Sequence, residues 1–96
     1  MLFEYMDLIV DSFEENEQEK ILTVHCRYMG KERNDINLYG YSGTNTAEYD
    51  ILKGMTIFAL EEGTESGNHV YYFVMKNHDI RVPIPATHAE KKVEIE

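Results

Sequence analysis

Residues 36–61 read I-N-L-Y-G-Y-S-G-T-N-T-A-E-Y-D-I-L-K-G-M-T-I-F-A-L-E, and their order decides the fold class. Ile36 to Tyr41 alternates, with Ile36, Leu38 and Gly40 set against Asn37, Tyr39 and Tyr41, the period of a half-buried strand. A glycine inside that run signals a bulge or a sharp coil, as a small barrel requires. Ser42 to Thr46 breaks the pattern. Thr46 is placed to cap a short helix over Ala47 to Leu52, because its hydroxyl can accept from the free amides of a first turn. Gly54 stops the helix, and Met55 to Glu61 opens a new strand.

The flanking sequence repeats the strand pattern. Upstream, Glu4 to Phe13 is apolar enough for a first strand, and Glu14 to Lys20 is polar throughout, the composition of a hairpin loop. In Lys20 to Tyr28, Leu22, Val24, Cys26 and Tyr28 share one face, while Ile21, Thr23, His25 and Arg27 share the other. Met29 to Asp35 has the composition of a turn. Downstream, Glu62 to Asn68 is a second polar turn. His69 to Lys76 is aromatic or β-branched almost throughout, so it is expected to be covered on both sides or to meet another copy. Pro83 and Pro85 confine a short sixth strand, Asp79 to Ile84, to an edge. The expected architecture is one mainly β domain over residues 1–85, a five-stranded OB-like antiparallel barrel with one short helix between strands three and four. Residues 86–96 read as a charged tail or an added edge strand.

Composition bounds the function classes. Ninety-six residues suffice for one core, and no apolar run approaches the ~18 residues of a membrane span. Met1 to Asp11 carries three acids and no base, the wrong chemistry for a signal peptide. A single cysteine, Cys26, allows no internal disulfide, and together these point to a reducing cytoplasm. The net charge is -9 and the acidic excess runs along the whole chain. Such a field repels phosphate backbones and favours basic partners, or serves solubility alone.

The stretches Ile36-Asn37-Leu38-Tyr39-Gly40, Ile51-Leu52-Lys53-Gly54-Met55-Thr56-Ile57 and His69-Val70-Tyr71-Tyr72-Phe73-Val74 together resemble the bacterial-type single-stranded DNA-binding proteins. The likeness covers about residues 33–76. It implies an OB fold working as a homo-oligomer, with Tyr39 as the base-stacking aromatic directly before the glycine. Arg33 stands where the family often has a second stacking aromatic, and Asp35 where a base would meet phosphate. Val93-Glu94-Ile95-Glu96 is acidic but lacks the family's proline-phenylalanine tip.

Binding single strands needs aromatic platforms beside a positive groove. Tyr39 and Tyr41 are the expected platforms, because they oppose the apolar face of their strand. Lys20, Arg27, Lys31 and Arg33 are the local bases expected to meet phosphates. Tyr28, Phe58, Tyr71, Tyr72 and Phe73 are further aromatics that filling a barrel explains better. The alternative is an acidic protein-interaction module, an inhibitor, immunity-type or DNA-mimic protein. Its surface would be Glu14, Glu15, Glu17 and Glu19 together with Glu61, Glu62 and Glu65, provided both hairpin tips point to the same end. Neither reading is enzymatic. The four histidines lack metal-ligand spacing, and His25 and Cys26, adjacent on a strand, point to opposite faces. No metal or cofactor is expected. The Asn77-His78-Asp79 loop reads as an ordinary polar turn.

Overall fold

Seven strands pair in the sheet rather than five, because the short sixth strand and the C-terminal residues both join it, while polar residues expected to lie in loops lengthen two of the others. The computed structural model describes residues 7–29, 31–76 and 79–94. Its strands are β1 (Leu8–Asn16), β2 (Ile21–Tyr28), β3 (Glu32–Tyr39), β4 (Thr56–Glu65), β5 (Asn68–Met75), β6 (Arg81–Pro85) and β7 (His88–Glu94), with a 3-10 helix, Thr46–Leu52, between β3 and β4. All pair antiparallel in one sheet of order β6-β5-β4-β1-β2-β3-β7. Of the residues expected to form a charged tail or an added edge strand, His88–Glu94 form an edge strand, β7, which pairs with β3 from Arg33↔Glu94 to Tyr39↔His88. Of the other expectations, Glu4, Tyr5 and Met6 of the first strand, Asn77 and His78 of the polar loop, and Ile95 and Glu96 lie outside the described residues.

The extra strand length has a simple cause. Backbone pairing does not require apolar side chains, so Glu14 and Glu15 continue β1 opposite Thr23 and Leu22. Likewise Glu62 to Glu65 continue β4 opposite Tyr71 to Asn68. The second tip shrinks to Ser66 and Gly67, with φ of +51° and +82°. Two consecutive positive φ values give the primed turn whose twist matches that of the strands.

The two edge strands are neighbours in the chain. Flat, the outer strands of a seven-stranded sheet would stand about 29 Å apart. Yet Pro85 and His88 are three residues apart, a reach of at most about 11 Å. The sheet must therefore roll until its edges approach. Ala86 and Thr87 hold it there: Ala86 N–H donates to His69 C=O on β5, and Thr87 N–H donates to Tyr39 C=O on β3, at 3.3 and 2.8 Å. No ladder joins β6 to β7 among the described residues.

Every strand contributes to the enclosed core. Leu8 and Val10 come from β1, Leu22, Val24 and Cys26 from β2, Ile36 and Leu38 from β3, Ile57 and Leu60 from β4, Tyr71 and Phe73 from β5, Ile84 from β6 and Ala89 from β7. The helix adds Tyr49 and Leu52. Its N-cap is Asn45 rather than Thr46, with the Asn45 Oδ1 accepting from Ala47 N–H at 3.0 Å. Asn and Thr both cap helices, so composition alone could not choose between neighbours.

Gly40 ends β3 with φ of +68°. Its Cα lies close to the Thr87 hydroxyl, which a Cβ would strike. This turn also corrects one expected site residue. Strict alternation would place Tyr41 outside, but the left-handed residue before it sends the ring inward. Tyr41 is 3% exposed, its ring meets Tyr49 edge-on at 6.4 Å, and its hydroxyl donates to that of Tyr49 at 3.4 Å.

Candidate nucleic-acid interface

The outer face of β2 and β3 is fixed by their register. Thr23 lies opposite Asn37, His25 opposite Asp35, and Arg27 opposite Arg33. These side chains face away from the Leu22, Val24 and Cys26 row, so the face is polar by the same period that makes the other side apolar. Three of the four expected phosphate-binding bases meet here. Arg27, Lys31 and Arg33 line one concavity of about 370 Å³ together with His25, Asp11 and Ser12. They converge because β2 and β3 form a hairpin and Lys31 sits in its turn.

Lys20 does not join them. It lies in the opposite turn, seven residues before Arg27, which is about 23 Å of strand. Its backbone carbonyl accepts from Tyr41 N–H at 2.9 Å.

The bases are not bare charges. Arg27 Nε donates to both carboxylate oxygens of Asp11, at 2.9 and 2.8 Å. Arg33 Nε lies 3.5 Å from Asp35 Oδ1. Between them, His25 Nε2 meets Glu14 Oε1 at 2.9 Å and Nδ1 meets Asp35 Oδ1 at 3.0 Å. Burial works against the charged ring, but the two carboxylates outweigh it, and the His25 pKa is raised. Protonated, the ring donates to both acids. Neutral at Nδ1, it accepts instead from Arg33 Nη2, 3.0 Å away. Asp35 is 5% exposed, an acid on an outer face that its neighbours have covered.

Tyr39 stands at the far end of this face, six residues or about 20 Å along β3 from Arg33. It is half-buried, its ring stacks on His88 at 5.8 Å, and its hydroxyl donates to Glu90 at 3.2 Å. Of the other aromatics, Tyr71 and Phe73 are core residues. Tyr72 lies under Arg81, whose guanidinium sits 4.3 Å from the ring centre. Tyr28 is 40% exposed and lines a second concavity with Met29 and Ile9.

No protein-family model, curated protein or solved structure matches this chain. The site therefore stands on its own geometry.

The acidic surface divides in two. β1 and β4 run antiparallel, with Leu8 opposite Ile57 and Ile9 opposite Thr56. The turn after β1 and the turn after β4 thus leave the sheet in opposite directions. The seven glutamates cannot form one patch. Glu14 belongs to the His25 network, Glu61 lies 3.6 Å from Arg81, and Glu62 lies 3.6 Å from His69. Glu17 and Glu19 are exposed in the first turn, and Glu65 is exposed at the end of β4. A different acid joins the first group. Burial raises the Tyr41 phenol, and the negative charges of Glu15 and Glu48 raise it further. An acid of the helix and an acid of β1 thus act on the same buried phenol.

Sequence reasoning missed His25, Asp35 and Glu48 as members of these surfaces. The alternation of Thr23, His25 and Arg27 pointed to a polar face. Only the cross-strand register shows which acids His25 meets.

Proposed function

We propose that this chain is a non-catalytic, OB-like protein that binds single-stranded nucleic acid along the outer face of β2 and β3 as a homo-oligomer. The observation that carries this reading is the convergence of Arg27, Lys31 and Arg33 on one concavity, with Tyr39 on the same face. A three-stranded meander, a short helix and a hairpin, with β1 bridging to β4, is the connectivity an OB barrel uses, and OB barrels bind oligonucleotides on the face of their second and third strands. The concavity supplies phosphate contacts and Tyr39 supplies a stacking surface. Tyr41 takes no part, being buried, and Lys20 is too far along β2.

Asp11 and Asp35 compete with phosphate for the two arginines, so binding is modest and sensitive to salt. Three phosphate contacts on a single strand predict a slope of log K against log salt of about -2. The test is a fluorescence titration of labelled oligo-dT at low salt. Arg33→Ala should weaken binding and flatten the salt slope by about 0.7. Tyr39→Ala should cost about 1–3 kcal/mol with the slope unchanged. Absence of binding at low salt removes the proposal.

One observation favours a second reading, an acidic protein-interaction module. Phe13 of β1 packs against Tyr49 of the helix at 5.7 Å, which brings the β1 segment bearing Glu15 and the helix bearing Glu48 to the same end of the sheet. If oligo-dT fails to bind, reversal of Glu17, Glu19 and Glu48 to lysine tests that end directly against basic protein partners.

A further inference from the structure

β7 is an edge strand whose outer side pairs with nothing among the described residues. In an antiparallel ladder every second residue turns its N–H and C=O away from its partner. One row of β7 backbone groups therefore faces outward from β3. Glu90, Lys91, Lys92 and Val93 are all exposed, and no strand among the described residues pairs with that row. Such an edge invites pairing, and charged side chains decide which strands are admitted.

The order of those charges is self-complementary. When two copies of β7 pair antiparallel about a twofold axis at Lys91, the residue numbers opposite one another sum to 182. Glu90 then faces Lys92 of the second copy, and Lys92 faces its Glu90. On the other face, Ala89 meets Val93, which is 43% exposed in the single chain. A shift of the axis to Glu90 sets Glu90 against its own copy, and a shift to Lys92 sets Lys92 against itself. An axis at Val93 also gives two opposite-charge pairs, Lys92 with Glu94, but it overlaps only three residues of β7, whereas the Lys91 register gives two such pairs and overlaps all seven, His88 to Glu94. Its one like-charge contact is Lys91 with its own copy, and that long side chain can carry its ammonium away into water.

We propose that β7 is the homodimer seam of this protein, joining two sheets edge to edge in the Lys91-centred register. The seam adjoins the proposed nucleic-acid face, because Glu90 accepts from the Tyr39 hydroxyl and Lys92 lies opposite Asp35, so its test reads self-association in the absence of nucleic acid. A pair of seven-residue strands is small beside the ~1,600 Å² of a standard interface. The dimer is therefore weak and forms at high protein concentration.

The experiment is sedimentation equilibrium of the full chain over a wide concentration range, with circular dichroism to verify folding. The wild type should dimerise reversibly. Glu90→Lys places lysines against lysines at both symmetric positions, and Lys92→Glu places acids against acids. Each should weaken the dimer about tenfold, from two cross-strand pairs turned repulsive. The double variant Glu90→Lys/Lys92→Glu should recover the wild-type constant. A mixture of the two single variants should form a heterodimer, because every opposed pair is then complementary. A wild type that stays monomeric at every concentration overturns the proposal and leaves the edge to another polypeptide. Single variants that dimerise as tightly as the wild type overturn it as well, by placing the seam elsewhere.

Discussion

His25 and Cys26 are neighbours in sequence and opposites in environment, because successive side chains on a strand point to opposite faces. Cys26 faces the core, fully buried, and burial pushes its thiol up to about 12, with the charges of Asp35 and Asp11 adding to the effect. At neutral pH almost no thiolate exists, so this cysteine is a small core hydrophobe. His25 faces outward and titrates upward. The groups around it are Glu14 on β1 and Asp35 and Arg33 on β3, and the two acids win over burial and over the Arg33 charge. A histidine raised in the folded state contributes stability that is complete below its ordinary value of about 6.5 and is lost as pH rises through the raised value. Urea unfolding of the wild type should therefore show this contribution in full below about pH 6.5 and its progressive loss as pH rises above that value. His25→Gln should reduce that difference. If both proteins have the same pH dependence, the Glu14–His25–Asp35 contacts do not hold the ring charged.

At the scale of elements, the end of β3 turns on one glycine. A side chain at Gly40 meets two costs: a left-handed backbone disfavoured by about 1–2 kcal/mol, and the Thr87 hydroxyl in the path of its Cβ. Gly67 has the same hand of backbone, with φ of +82°, but open space around it. Gly40→Ala should therefore destabilise more than Gly67→Ala, by the cost of displacing Thr87 from its bonds to Tyr39. Equal losses in chemical denaturation would show that Thr87 yields freely. The same glycine marks what the sequence could and could not reveal. The inner row Leu22, Val24 and Cys26 was legible because period two is local. The helix was legible because Gly54 bounds it at one end and a capping side chain at the other, although the cap is Asn45 and not the expected Thr46. Tyr41 was not, since a single positive φ inverts every later side chain while leaving composition unchanged. Tip lengths were also hidden, because glutamates on a solvated strand face look like loop residues. Of the site, Arg27, Lys31 and Arg33 were legible together because a hairpin is a local contact. The Arg27 partner Asp11 was not, because a register shift between Val10 and Ser12 decides where that residue lies along the β1–β2 hairpin.

The whole molecule carries 18 acids against 9 bases, and the fold does not gather its acids in one place. The two main tips point in opposite directions, so repulsion is distributed over the surface and acts against compactness as a whole. Opposing it are ion pairs such as Arg27–Asp11, Lys76–Asp7 and Lys53–Asp50. Their side chains remain one third or more exposed, where such pairs contribute about 0–1 kcal/mol each. Salt weakens both effects. Between 10 and 150 mM ionic strength the Debye length falls from about 30 to about 8 Å. That range screens repulsion between distant acids, while contacts near 3 Å survive within the shorter length. The melting temperature should therefore rise with salt over this interval, by a few degrees if about 1 kcal/mol of repulsion is removed. Glu17→Lys/Glu19→Lys, which lowers the charge on one exposed turn, should raise the low-salt melting temperature and blunt the response. A melting temperature that falls with salt would mean that the ion pairs outweigh the excess charge. Nucleic-acid affinity moves the other way under the same titration, because screening removes the attraction of Arg27, Lys31 and Arg33 for phosphate. The two measurements on one sample thus separate the charge that strains the fold from the charge that serves the site.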